Sequence, residues 1–139
     1  MNPFIDVAKF PDFESMTPAA AREAFPLLLD SAKLKLDAIE EAAVPTWDEF
    51  IIPLREAVHP LWRAWGFMGH LLSVSNSEEW RKVQEEFQQE IVAVSLRVGQ
   101  SVKFYETIKA ITTDDPCRQR ILEDMLRSAE HSGVALSGE

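Results

Sequence analysis

The fold is decided by residues 45–76, which read PTWDEFIIPLREAVHPLWRAWGFMGHLLSVSN and hold three of the four tryptophans. Their apolar side chains step alternately by four and three residues, which is the period of one helix face and not of a strand. Thr46 and Glu49 have the spacing of a capping box, in which each side chain satisfies a free amide of the first helical turn. We predict a long helix from Trp47 to about Val74 with one buried stripe, made of Trp47, Ile51, Leu54, Val58, Leu61, Trp65, Met68 and Leu72.

Two helical segments are expected before this stretch. Thr17 and Pro18 form a cap followed by a proline at the first helical position, where the missing amide has no cost. Pro26 lies too far into that helix for an uninterrupted path. We therefore expect a short helix that ends at Ala24, and a second helix, or a kink, from Phe25 to about Ala42.

Three helices are expected after it. Asn76 and Glu79 can cap a helix that runs to Gly99, with a stripe of apolar residues at helical spacing. A shorter helix covers about residues 101–111, and Asp115-Pro116 starts a last one that ends at Gly133 in a left-handed cap. Residues 134–139 show no pattern of their own.

Residues 1–16 have aromatic side chains between prolines and aspartates without a sustained period, so we expect an extended N-terminal arm that packs across helices. No segment alternates like a strand. The sequence therefore predicts an all-α fold: a helical bundle of about five or six helices with this arm, in a single domain over residues 1–139.

The charge of −9 argues against a nucleic-acid or anionic-membrane partner, because both need local positive potential. The single cysteine, Cys117, excludes a disulfide within one chain. Neither a secretory signal nor an apolar run long enough to span a bilayer is present, which makes a cytoplasmic location the expectation.

Residues suited to chemistry are few. His59 and His70 lie eleven positions apart, about 16 Å along a helix, so they cannot share one metal ion. His131 is the only other histidine, and no His-Glu-x-x-His motif or glycine-rich phosphate loop occurs. Cys117 lies on the apolar stripe of the last helix and is expected to be buried. We predict no catalytic, cofactor-binding or metal-binding residue in this chain.

The long helix carries apolar residues on more than one side, so more than one protein surface must pack against it to bury them. We define the candidate face as Trp62, Phe67, His70 and Leu71 and expect it to contact another domain. The same exposed apolar surface could support a homo-oligomer.

Several separated motifs resemble one family. The stretch closely resembles the amino-terminal helical region of the thimet oligopeptidase family of zinc metallopeptidases, particularly the bacterial oligopeptidase A branch. The resemblance rests on residues 45–50, Pro53-Leu54, residues 63–66, His70-Leu71 and Asn76-Ser77. Asn2-Pro3, Phe10-Pro11, Thr17-Pro18, and the matches in residues 121–127 and 132–136 follow in that family's order, so the resemblance covers nearly the whole chain.

The resemblance implies an almost wholly helical enzyme that hydrolyses short peptides in a deep channel. Zinc would be held by a His-Glu-x-x-His motif in a carboxy-terminal catalytic region that has no counterpart here. It implies that the candidate face contributes to the channel wall and that the partners are that catalytic region and short peptides. This chain alone would be catalytically inert and would need no cofactor.

Two further hypotheses stay open. The chain could be a stand-alone helical module that derives from the same fold and binds a protein partner, with a separately encoded catalytic half as one candidate. It could also be a helical small-ligand binder with a tryptophan-lined pocket, although no residue selects a ligand.

Overall fold

A computed structural model describes residues 1–134, and every regular secondary-structure element within them is a helix. Its elements are helix α1 (Pro18–Ala42), a π-helical turn (Trp47–Ile51), α2 (Ile52–Val74), α3 (Glu78–Gln100), α4 (Val102–Ala110) and α5 (Pro116–His131). Residues 1–17 form only turns and irregular backbone. The predicted all-α fold of five or six helices is therefore confirmed, whereas most of the predicted irregular tail, residues 135–139, lies outside the described residues.

Helix α1 begins as predicted but is not interrupted. The Thr17 hydroxyl accepts a hydrogen bond from the Ala20 amide at 3.1 Å, and one continuous helix then runs past Pro26. The expected break after Ala24 is wrong. Pro26 is on an exposed side of the helix, so the Arg22 carbonyl that loses its amide partner can bond to water instead.

The long helix begins at Thr46 with half of the predicted capping box. The Thr46 hydroxyl accepts from the Glu49 amide at 3.2 Å, but the Thr46 amide donates to the Val44 carbonyl at 2.8 Å instead of to Glu49. The first turn is π-helical, with the Ile52 amide bonded to the Trp47 carbonyl. Pro53, which has no amide, follows directly where the π-helical pattern changes to an α-helix.

The buried stripe of the long helix is rotated from the prediction. Ile51, Leu54, Leu61 and Met68 are buried as expected, but Trp47, Val58, Trp65 and Leu72 are only half-buried. The remaining buried positions are Phe50, Ala57, Ala64 and Leu71. Two of these positions are alanines, to which a count of large apolar side chains gives too little weight.

Capping groups define the remaining helices. Ser77, not Asn76, caps α3, since its hydroxyl accepts from the Trp80 amide at 3.2 Å. The Asp115 carboxylate caps α5 by accepting from the amides of residues 117 and 118. Gly133 has φ 91, and the amides of Gly133 and Val134 donate to the carbonyls of residues 130 and 129. This is a Schellman motif, which confirms the predicted left-handed cap.

The first of two compact units comprises Met1–Leu34 and Glu56–Ile91. Its centre is an aromatic cluster around Phe25, whose ring lies 5.9 Å from Phe4, 5.6 Å from Trp65 and 5.3 Å from Phe87. Ion pairs join α1 to α3 at its surface, with Arg22 at 3.0 Å from Glu86 and Lys33 at 2.8 Å from Glu90.

The second unit comprises residues 35–55 and 92–134. Phe50 and Phe104 meet edge to face at 5.6 Å between ring centres, and both are buried. Leu36, Ile108 and Leu122 are also buried here. The prediction that residues 1–139 form a single domain stays a prediction.

Candidate functional site

The four residues of the candidate face all lie on α2 in the first unit, but they do not share one environment. Leu71 is 8% exposed and belongs to the core. Trp62 and Phe67 are half-buried, and His70 is exposed. The structure therefore places three of the four side chains where a further surface could reach them, and the assignment of this face to a domain contact stays a prediction.

Part of the candidate face is covered by the N-terminal arm. The Phe13 ring lies 5.6 Å from the Phe67 ring, edge to face, and 5.2 Å from the His70 ring. The Arg63 guanidinium lies 4.6 Å from the centre of the Phe67 ring, a cation–π arrangement. The expectation that the arm packs across helices is confirmed by these contacts.

Arg63 also holds the arm through its backbone. One terminal nitrogen donates to the Asp6 carbonyl at 3.1 Å and the other to the Lys9 carbonyl at 3.0 Å. A planar guanidinium can make two such bonds at once while its face stacks on an aromatic ring. Sequence reasoning missed this role of Arg63, and the only available signal was a cation beside aromatic residues in an apolar helix.

The start of the arm is fixed by a separate anchor. The Asn2 side-chain nitrogen donates to the Ala20 carbonyl at 2.8 Å, and the Asn2 side-chain oxygen accepts from the Phe4 amide at 3.0 Å. Phe4 is fully buried, with its ring 6.4 Å from that of Trp80. Further along, Ser15 donates to Asp12 at 2.6 Å, and this bond lowers the pKa of the Asp12 carboxyl.

The second unit contains a separate apolar groove of about 440 Å³. One of its polar groups is the Tyr105 hydroxyl, which donates to the Glu130 carboxylate at 2.8 Å. That hydrogen bond raises the pKa of Tyr105, since it stabilises the neutral phenol, and loss of hydration adds to the effect. The groove is lined by Leu54, Val98, Gly99, Ser101, Phe104, Tyr105, Ile108, Ile121, Asp124, Met125, Ser128, Ala129 and Ser132.

Arg97 in the second unit has two carboxylate partners. Arg97 lies 2.6 Å from Asp37 and 3.0 Å from Glu40. Partial burial lowers the pKa of Arg97, but the hydrogen bonds to Glu40 and Asp37 outweigh burial and raise the pKa overall. This arrangement joins α1 to α3 within the second unit.

Residues 1–134 contain no cluster of three or more histidine, cysteine, aspartate or glutamate side chains placed to hold a metal ion. His59, His70 and His131 are all exposed and far apart in the sequence. These side chains therefore do not fit the zinc that the family resemblance implies for the complete enzyme.

Cys117 is exposed, so its predicted burial is wrong. It occupies the first turn of α5, where its amide donates to the Asp115 carboxylate at 2.8 Å. The buried side of α5 instead includes Leu122 and Ala129.

Among residues 1–134, no helix combines the length and the apolar character that a membrane span requires.

Similarity to known proteins extends over almost the whole chain. The chain is 33% identical over 144 residues to a probable cytosolic oligopeptidase A of Arabidopsis thaliana. This alignment covers 99% of the chain and 20% of that protein. An organellar, chloroplastic/mitochondrial oligopeptidase A of the same plant is also 33% identical, with 99% and 18% covered. Oligopeptidase A of Haemophilus influenzae is 29% identical, with 99% and 21% covered.

The chain thus spans about a fifth of the length of these relatives. A family model described as the neurolysin/thimet oligopeptidase N-terminal domain matches residues 25–139. This match agrees with the family that the motifs in residues 45–76 indicate. The chain therefore belongs to the neurolysin/thimet oligopeptidase N-terminal domain family.

Proposed function

We propose that this chain is the non-catalytic N-terminal helical region of a zinc-dependent oligopeptidase that hydrolyses short peptides. The observation that carries the proposal is the alignment of 99% of the chain with about a fifth of proteins named oligopeptidase A. The His-Glu-x-x-His motif is absent from all 139 residues. Peptide hydrolysis would therefore depend on groups in a catalytic region, which would be the main partner of this chain.

The helices would contribute to the wall of a channel that admits short peptides. Trp62 supports this role because it is a half-buried aromatic residue on α2 outside the aromatic contacts of the arm, which involve Phe67 and His70. A large flat side chain in such a position can pack against an extended peptide or against a neighbouring domain. We place the protein in the cytoplasm, in line with the word cytosolic in the name of one relative.

The test is a chimera in which residues 1–139 replace the aligned region of Haemophilus influenzae oligopeptidase A. The chimera is expected to hydrolyse a quenched fluorescent short peptide, to lose activity with a chelator and to regain it with zinc. The chain alone is expected to leave the peptide intact. Hydrolysis by the pure chain, or an inactive chimera with native circular dichroism and bound zinc, would overturn the proposal.

Two variants of the chimera test the channel wall. Trp62→Ala is expected to change KM for short peptides or the longest peptide accepted, because it removes a ring from the wall. Leu27→Ala, at a residue 61% exposed on α1 and outside the candidate face, serves as the control and should change neither quantity. Equal kinetics for both variants would count against a channel position for Trp62.

A further inference from the structure

The segment that covers Phe67 and His70 is attached mainly through one side chain. We propose that residues 5–13 form a strap that closes over Phe67 and His70, and that Arg63 is the positioning residue that holds the strap shut. The proposal concerns contacts within this chain and does not depend on the proposed peptidase function.

The strap has two fixed ends. Before it, Asn2 is bonded to α1, Phe4 is fully buried, and the amides of Ile5 and Asp6 donate to the Asn2 carbonyl at 3.0 and 3.2 Å. After it, Met16 is 4% exposed and Thr17 caps α1. The strap can therefore leave α2 while both flanks stay in place, with hinges at the turn that follows Phe4 and ahead of Met16.

The closing contacts of the strap are few. Within the described residues, its only hydrogen bonds to a helix are the two from Arg63 to the carbonyls of Asp6 and Lys9. Its remaining polar contacts lie within the arm, such as the Lys9–Asp6 pair at 3.7 Å. Val7 and Phe10 are 53% and 97% exposed, so the apolar burial that opposes opening comes from the half-buried Ile5 and Pro11 and from Phe13. Segments with so few buried contacts open at low free-energy cost.

The closed strap places the Phe13 ring against Phe67 and His70. When Arg63 releases the two carbonyls, the aromatic contacts of Phe13 and the buried side chain of Met16 still hold this end. Opening of the strap would expose more of Phe67, which is half-buried, and of His70, which is already exposed. A partner surface that binds Phe67 and His70 would compete with Phe13 and shift the population toward the open strap. Arg63 would thereby set how much of the candidate face is available.

Trypsin cleavage after Lys9 reports opening directly. The carbonyl of the scissile bond is the one that accepts from Arg63 at 3.0 Å, so a protease cannot use it while the strap is closed. Loss of two hydrogen bonds from a charged donor is expected to raise the cleavage rate about a hundredfold in Arg63→Met. Arg63→Lys should give an intermediate rate, because an ammonium group lacks the fork that reaches both carbonyls. Arg55→Met removes an exposed arginine from the same long helical segment and should leave the rate unchanged.

The NMR resonance of the His70 ring gives a second readout, because Phe13 lies 5.2 Å away and its ring current shifts that signal. With only three histidines in the chain, His70 can be assigned by substitution. Arg63→Met and Phe13→Ala should both move the resonance. Phe10→Ala removes an exposed ring from the same strap and should not.

The double variant separates a shared closing contact from two unrelated effects. If Arg63 and Phe13 close one strap, then Arg63→Met combined with Phe13→Ala should raise cleavage by less than the product of the two single increases. The strap is wrong if both single variants, with native circular dichroism, leave the Lys9 cleavage rate as it is in the unchanged protein, or if Arg63→Met leaves the His70 resonance in place. If Arg63→Met does not fold, the Lys9 cleavage rate of Phe13→Ala alone decides.

Discussion

Replacement of Ala43 by glycine should make the protein more stable, although alanine is the better residue at almost every position of a helix. It follows the last residue of α1 and has φ 44, while its amide still donates to the Ile39 carbonyl at 2.9 Å. This is the left-handed conformation in which a Cβ atom crowds the backbone, at a cost of about 1–2 kcal/mol. Glycine avoids that cost but loses about 0.5–1 kcal/mol through the greater freedom of its unfolded chain.

The net expectation for Ala43→Gly is a gain of about 0.5–1 kcal/mol in the free energy of unfolding, from the difference between these two terms. Ala38→Gly is the matched control, because Ala38 is exposed within α1. It should lose about 1 kcal/mol, the usual cost of glycine inside a helix. Urea unfolding followed by circular dichroism should show midpoints that move in opposite directions, by about 0.3–0.5 M each. The reasoning is refuted if Ala43→Gly lowers the midpoint as Ala38→Gly does.

Two further predictions concern the groove and the core. Tyr105, the only tyrosine, should titrate above its ordinary pKa of 10.0 because it donates to Glu130, and Glu130→Gln should lower that pKa more than Glu106→Gln does in an ultraviolet titration. Since the folded pKa of Tyr105 is raised, the stabilisation that the Tyr105–Glu130 bond contributes is complete below about pH 10 and is lost as the pH rises through the folded pKa. Equal effects of the two variants on the pKa of Tyr105 would contradict Glu130 as the main cause of the shift. Phe25→Ala should cost about 3–5 kcal/mol in urea unfolding, whereas Phe10→Ala, at a residue 97% exposed, should stay within about 0.5 kcal/mol of the unchanged protein; similar losses would contradict the central role of Phe25.

Features of the fold that depend on neighbouring residues could be predicted from the sequence. Thr17-Pro18, Asp115-Pro116 and Gly133 mark helix ends because cap and proline preferences act within one helical turn. The stripe of α3 was also predictable, because a 23-residue amphipathic helix repeats the same pattern several times. The choice of Ser77 over Asn76 as a cap was not, since both residue types suit that position and the Arg81 side chain binds Asn76 at 2.6 Å.

Features that depend on exposure were harder to predict. Pro26 does not break α1, because its side of the helix is exposed and the freed carbonyl can be hydrated. The helical spacing places Cys117 on an apolar stripe, yet it lies in the first turn of α5, where the side chain is exposed. The residue types predict a helix break at Pro26 and burial of Cys117. Both predictions fail because the orientation of each helix, which no local pattern determines, leaves these two side chains exposed.

The candidate site shows the same division between local and distant information. Motifs in residues 45–76 were sufficient to indicate the family, and four residues of α2 could be proposed as a contact face. Nothing in that stretch indicates that Phe13 covers two of them. Nor does it indicate that Arg63 bonds to the carbonyls of Asp6 and Lys9, which precede it by 57 and 54 positions. An arginine in an apolar helix has several physical uses, including a surface ion pair, a cation–π contact and a bidentate backbone contact. Only the position of the arm selects among them, so the accessibility of the candidate face depends on contacts that the sequence of the helix does not contain.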